Sequence, residues 1–421
     1  MRTRLILSLI VLAMFIPSIA GAAVTNRDLQ LTGGVAVSNA NDSFFFAPLE
    51  PGLTGRWGLY ALSSAASGPI VETSSGYPAR LLHADNEKVY FLAYSDPGRT
   101  IHALYEVDIA AKQISPDPLL SNIASAFVES DDSFLYVSTD DPYMLCRYSL
   151  KDKKATDLKS MASSKKMIYD AGVYDGKVYF ITVTDSGSED AYLLNTNGKA
   201  NNLDVPSPKA FTSVLHEGYR VYSIDRQMSQ IYAQKIGSKK SVRLAGDYSP
   251  TLYNYRFGNI IYAYDGVNNQ LMGFPLDGSA AKTMRMDGSS PLSRLVMGGS
   301  KDEIYFYYSG GIYMANADLA SQTKLFAVDA GRGGTTNLSY IAPLGQNALL
   351  VAGYNQATAS NYYNLMPTNV YIYNRADGEL LFGYPLNADE ITENSGFQLG
   401  VDPIGDIPQP ELGEGETAFL F

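Results

Sequence analysis

Asp175-Gly176-Lys177-Val178-Tyr179-Phe180 reads as a tight turn feeding a short apolar strand. Asp and Gly tolerate the backbone angles that such a turn demands. The apolar core recurs as Phe44-Phe45-Phe46, Val89-Tyr90-Phe91, Leu135-Tyr136-Val137, Val221-Tyr222-Ser223, Ile261-Tyr262-Ala263, Ile304-Tyr305-Phe306 and Leu349-Leu350-Val351. In chain order the middle residues lie 45, 46, 43, 43, 40, 43 and 45 positions apart. A period in the forties, built of short strands, is the signature of an all-β fold, the β-propeller. The count predicts eight four-stranded blades, with a seven-bladed ring plus an irregular terminal unit as the alternative.

Each unit parses as four strands running from the innermost to the outermost. The second unit offers Ala79–Ala84, Val89–Tyr94, His102–Ile109 and a short Lys112–Ser115. The third offers Ser125–Ser130, Phe134–Thr139, Met144–Leu150 and Ala155–Met161. Asn197-Gly198, Asp277-Gly278 and Asp377-Gly378 mark turns between third and fourth strands. Pro78, Pro116, Pro206, Pro250 and Pro291 fall between units, where a residue lacking an N–H does no harm to a ladder. One blade exposes two apolar faces, so stacking must bury them, and the recurring second-strand aromatic is expected to fill the interfaces.

Residues 1–23 read as a signal peptide: Arg2 and Arg4, an apolar Leu5–Ile19, then Ala20-Gly21-Ala22 as a cleavage site. That apolar run is shorter than the ~20 residues a membrane span needs. The expected organisation is therefore signal peptide 1–23, propeller 24–386 and a flexible acidic tail 387–421, in a protein exported to the periplasm or beyond. The net charge of −11 is shared unevenly: +2 in 1–23, −5 in 24–386 and −8 in 387–421. This balance argues against nucleic acid and anionic membranes as partners. No stable membrane insertion is expected after cleavage, and a monomer is the expected state. The lone Cys146 cannot form an internal disulfide and reads as a small strand residue.

Tyr222-Ser223-Ile224-Asp225 and Tyr262-Ala263-Tyr264-Asp265, the latter followed by Gly273-Phe274-Pro275-Leu276-Asp277-Gly278, carry a family likeness. Tyr-x-x-Asp, an apolar strand and Leu-Asp-Gly resemble the YWTD propeller repeats of low-density-lipoprotein receptors. The run 175–180 is similar to repeats of bacterial secreted propellers of unknown function. The resemblance covers most of 30–386 and implies a fold without implying catalytic residues. Trp is missing from every Tyr-x-x-Asp here, and several units lack the Asp-Gly.

Catalytic signatures are scarce. The chain has three histidines, His83, His102 and His216, and no H-E-x-x-H, G-x-S-x-G or G-x-x-x-x-G-K-[ST]. One Trp, Trp57, argues against a quinone-dependent propeller enzyme. Acids recur after the second strand: Asp96, Asp140, Asp185, Asp225 and Asp265. Gathered on one ring face, they could bind Ca²⁺ or a cationic ligand, or serve as an acid/base pair; as turn caps they would do none of this. The eighth unit's connection, 354–368, brings Tyr354, Tyr362 and Tyr363 among Asn and Gln side chains, a composition suited to carbohydrate or protein contact. The expected function is a secreted, non-catalytic propeller binding protein or glycan through one ring face. A carboxylate-dependent glycosidase or lyase at the channel mouth, and an envelope assembly factor, are the alternatives.

Overall fold

The computed structural model describes residues 36–38, 44–46, 57–62, 67–73, 78–95, 101–130, 132–139, 144–160, 166–184, 189–195, 199–203, 212–224, 230–245, 255–286, 295–328, 337–354 and 369–384. Among the described residues there is no helix, and thirty-two strands form six four-stranded sheets and one eight-stranded sheet; numbered off in fours along the chain, the strands are called blades one to eight below.

Blade one holds β1 (Ala36–Ser38), β2 (Phe44–Phe46), β3 (Trp57–Leu62) and β4 (Ser67–Thr73). Blade two holds β5 (Pro78–Ala84), β6 (Lys88–Tyr94), β7 (His102–Asp108) and β8 (Gln113–Ile114). Blade three holds β9 (Leu120–Ser130), β10 (Ser133–Ser138), β11 (Met144–Ser149) and β12 (Lys154–Ser160). Blade four holds β13 (Lys166–Tyr174), β14 (Lys177–Thr184), β15 (Glu189–Leu194) and β16 (Ala200–Asn202). Blade five holds β17 (Thr212–His216), β18 (Tyr219–Ser223), β19 (Ile231–Lys235) and β20 (Ser241–Ala245). Blade six holds β21 (Tyr255–Phe257), β22 (Ile260–Asp265), β23 (Gln270–Pro275) and β24 (Lys282–Arg285). Blade seven holds β25 (Val296–Gly299), β26 (Glu303–Tyr308), β27 (Gly311–Asn316) and β28 (Gln322–Ala327). Blade eight holds β29 (Asn337–Leu344), β30 (Ala348–Tyr354), β31 (Asn369–Asn374) and β32 (Leu380–Tyr384).

Within each blade successive strands pair antiparallel, and first strands pack on one another between blades one and two, two and three, three and four, four and five, six and seven, and seven and eight. In a propeller such first strands are the ones nearest the axis. The turn at 175–176 has positive φ at both positions, 50° and 67°, as the sequence led one to expect. At the axis the fit is close: a Cβ added to Gly298 of β25 would lie 1.7 Å from the Ile341 carbonyl oxygen of β29.

Period-two alternation divides each second strand between two neighbours. In blade two, Val89 and Phe91 pack toward blade one, while Tyr90 packs with Phe134, Tyr136 and Tyr148 of blade three. Tyr179, Tyr262 and Tyr305 likewise face the following blade, and Phe180, Ile261 and Phe306 the preceding one. The recurring aromatic thus fills the interfaces, each such burial being worth about 1.5–3 kcal/mol. Blade three corrects the alignment. Tyr136 faces back toward blade two, and Leu135 faces blade four with Ile168 and Phe180. Leu135, one residue earlier, is the true equivalent of Tyr90, because the Tyr at 136 lies on the other side of the pleat.

The structure also corrects the boundary between blades two and three. The fourth strand of blade two shrinks to Gln113–Ile114. The first turn of ladder beside β7 is supplied by β9, which begins five residues earlier than Ser125 and pairs Leu120 with Leu104 and Ile123 with His102. The two blades therefore form one continuous eight-stranded sheet. At this boundary and at two others the turn between third and fourth strands leans on the preceding blade. Lys153 reaches Glu106 at 3.2 Å, the Ala317 carbonyl accepts from the Tyr262 hydroxyl at 2.8 Å, and Arg375 holds Glu303 at 3.0 Å.

Candidate axial site

The first strand of a blade begins where its second strand ends: Pro78 pairs with Ala93, Lys166 with Thr184, Thr212 with Ser223 and Asn337 with Tyr354. One face of the ring is thus defined by first-strand starts and by the departure of the connections that carry the recurring acids. At this face four first strands carry an extra residue. Ala79, Ala124, Tyr169 and Ser339 have no partner across the ladder, and the residues after them, Arg80, Ser125, Asp170 and Tyr340, pair with Leu92, Val137, Ile181 and Ala352. With blade three aligned on Leu135, all four occupy the same place in the repeat. Bulges of this kind twist a strand and re-aim its side chains.

Their direction follows from their neighbours. Leu81, Ala126, Ala171 and Ile341 pack toward the preceding blade. The residue before each consequently turns toward the following blade and the axis. The Arg80 Nη1 group donates to the Ala126 carbonyl of β9 at 3.2 Å. Asp170 Oδ2 accepts from the Leu215 N–H of β17 at 2.8 Å. Both satisfy backbone groups on the free edges of inner strands, which would otherwise need another partner.

Electrostatics ties the level together. Burial pulls the Arg80 guanidinium below its ordinary pKa, while the Asp170 carboxylate and the Tyr340 phenol pull it back up. Arg80, Asp170 and Tyr340 stand on blades two, four and eight, so side chains of non-adjacent blades are within electrostatic reach of one another. The hydroxyls of Ser125 and Ser339 are buried with no hydrogen-bond partner among the described residues. Buried hydroxyls left this way are uncommon and point to water or a ligand.

Of the residues singled out from sequence, Asp96, Asp140, Asp185, Asp225, Tyr362 and Tyr363 lie outside the described residues, as do 1–23 and 387–421. Tyr354 ends β30 on the same face as the bulges. Asp265 caps a turn: Oδ1 accepts from the N–H of Val267 at 3.0 Å and of Asn268 at 3.2 Å, and Oδ2 accepts from the Asn268 side chain at 2.6 Å. Slight burial raises its pKa, but the hydrogen bonds outweigh it and leave the carboxyl below the ordinary range. Among the described residues no three His, Cys, Asp or Glu side chains gather as a metal ion would require. The histidines are structural. His83 is buried beside the Tyr90 ring, His102 Nδ1 lies 3.2 Å from the Ile123 carbonyl, and His216 Nε2 lies 2.7 Å from the Gly258 carbonyl.

Arg80, Ser125, Asp170 and Tyr340 escaped the sequence reading, which followed the loops. A signal was present: each interrupts an apolar first strand nine or ten positions ahead of the second-strand centre. The one-residue slip in blade three hid the equivalence.

No family model and no curated protein sequence matches the chain. Among solved structures it is similar to dipeptidyl peptidase 4 of Porphyromonas gingivalis, with TM-score 0.55 and 9% identity over 86% of this chain and 61% of that one. A prolyl endopeptidase aligns with TM-score 0.53 and 11% identity over 83% of this chain and 56% of that one. The β-propeller domain of the trilobed protease from Pyrococcus furiosus aligns with TM-score 0.40 and 10% identity, over 73% and 97%. The chain spans 61% and 56% of the two peptidase chains it matches. At such identities the likeness shows the fold alone: the chain is an all-β protein of four-stranded antiparallel sheets arranged as propeller blades.

Proposed function

We propose that the protein is an exported, non-catalytic propeller that binds a protein or glycan partner through the ring face where its first strands begin. The observation that supports this reading is the shared bulge on blades two, three, four and eight, which turns Arg80, Ser125, Asp170 and Tyr340 toward the axis at that face. The second strands β6, β10, β14 and β18, which Asp96, Asp140, Asp185 and Asp225 follow in sequence, end on the same side. The glycosidase or lyase alternative needs two carboxylates facing each other across about 5–10 Å. Among the described residues the axial level supplies one, Asp170, while Asp265 is committed to its turn. The peptidase activity named for the structural neighbours finds no G-x-S-x-G in this chain.

The test is face-specific. A photo-crosslinking residue replaces Asp265 on the proposed face, or Lys153 on the opposite one, and the labelled proteins probe protein and glycan arrays. Capture at about micromolar affinity with linkage from position 265 is expected. Linkage from position 153 alone, or no capture from either, overturns the reading.

A further inference from the structure

We propose that the axial level formed by Arg80, Ser125, Asp170 and Tyr340 is a binding site for one uncharged, hydroxyl-rich residue of a glycan. The inference rests on the ring-face reading above and narrows it to a ligand class. Four repeat-equivalent positions carry four different polar side chains, and the same backbone irregularity delivers each of them. Structural padding of an axis would be met by apolar residues, as Val296 meets it in blade seven, where it pairs with Tyr307 and is buried.

The chemistry of the four groups selects the ligand. An anion would meet Asp170 and a cation would meet Arg80, each at a like-charge cost. An apolar group would offer neither charge a hydrogen bond. A sugar presents adjacent hydroxyls that donate and accept together. Asp170 can only accept, Arg80 can only donate, and the Ser125 hydroxyl does both. Ser125 Oγ and Ser339 Oγ are buried without a hydrogen-bond partner among the described residues, so partner hydroxyls would complete them. The Tyr340 ring offers the flat apolar surface against which the C–H face of a sugar packs.

The experiment titrates full-length secreted protein with neutral hexasaccharides of glucose, mannose and N-acetylglucosamine, read by calorimetry. Hexagalacturonate serves as the anionic probe and spermidine as the cationic one. At least one neutral hexasaccharide is expected to bind, and the charged probes are expected to be at least tenfold weaker. Asp170→Asn, whose amide oxygen can still accept from Leu215, should weaken binding about tenfold, as should Arg80→Gln. Should Arg80→Gln fail to fold, Ser125→Ala is the fallback. It removes a hydroxyl that has no hydrogen-bond partner among the described residues, and should weaken binding severalfold at an unchanged melting temperature. Binding that is indifferent to Asp170→Asn and Ser125→Ala would overturn the site. No binding of any neutral hexasaccharide, with crosslinking from position 265 intact, would overturn the ligand class and leave the ring-face reading standing. Loss of both would remove the two together.

Discussion

Blades two and three are joined very differently from blades six and seven. At the first junction the backbone itself crosses over, through β9 beside β7, and charge reinforces it: Glu106 receives Lys153 from blade three as well as Lys88 from its own blade. At the second junction the described core is aromatic and apolar. Phe257, Tyr262, Tyr264, Phe306, Tyr308 and Tyr313 pack together with Met284, Met286 and Met297. Asn269 then acts as a neutral clasp, its Oδ1 accepting from the hydroxyls of Tyr264 at 2.8 Å and Tyr308 at 2.9 Å, while its Nδ2 donates to the Met286 carbonyl at 3.2 Å. The same repeat therefore fixes which faces meet and leaves open the chemistry that joins them.

Alkaline titration is expected to produce the largest effect, because it strikes both junctions. Burial holds the hydroxyls of Tyr90, Tyr262 and Tyr305 well above their ordinary pKa; nearby Asp85 and Glu106 add to this at Tyr90. Unfolded tyrosines ionise near pH 10 while these keep their protons, so their contribution is complete below pH 10 and is lost as pH rises beyond it. The loss is about 1.4 kcal/mol per residue per pH unit. Tyrosinate absorbance and circular dichroism should change together. Ionisation of all tyrosines near pH 10 with an unaltered dichroism spectrum would contradict the burial.

Tyr262→Ala comes next, at about 3–5 kcal/mol, the cost of emptying a buried aromatic site. It also strips the Ala317 carbonyl of its donor. Denaturant midpoints measure it, and a cost below about 1 kcal/mol would mean that the cluster is not the glue between blades six and seven. Asn269→Ala should cost about 2–3 kcal/mol by leaving two buried phenols short of an acceptor, and this cost should be the same in low and high salt. Glu106→Gln is expected to be the smallest change, about 1–2 kcal/mol at low ionic strength, given that Lys153 is half exposed. In 1 M salt the difference should shrink. Equal salt responses from Asn269→Ala and Glu106→Gln would erase the distinction between the two junctions.

Much of the fold was legible in the sequence because alternation and turn chemistry are local. Val178-Tyr179-Phe180 announces which side chains share a face, and Asp175-Gly176 announces the turn before them. Radial position and exact register are not local properties. Leu135 and Tyr136 both suit a buried strand, and only packing against Ile168 decides which of them faces forward. The merging of blades two and three was hidden for a related reason: Leu120-Ser121-Asn122-Ile123 has no strong pattern, and it becomes strand because β7 offers a free edge where β8 stops short. The axial level was the least legible part. An arginine at 80 and an aspartate at 170 are unremarkable in a linear string. They gain meaning once strands ninety residues apart in sequence are brought within electrostatic reach of each other.

The shared strand β9 sets a rule for rearranging this molecule. Blades five and six share no ladder among the described residues, so new chain ends opened between them would cut none. Opened between blades two and three, within Leu120–Ile123, they would cut a ladder that both blades use. Those two blades should be inherited, duplicated or deleted only as a pair, which makes the working module of this ring locally twice the size of its repeat.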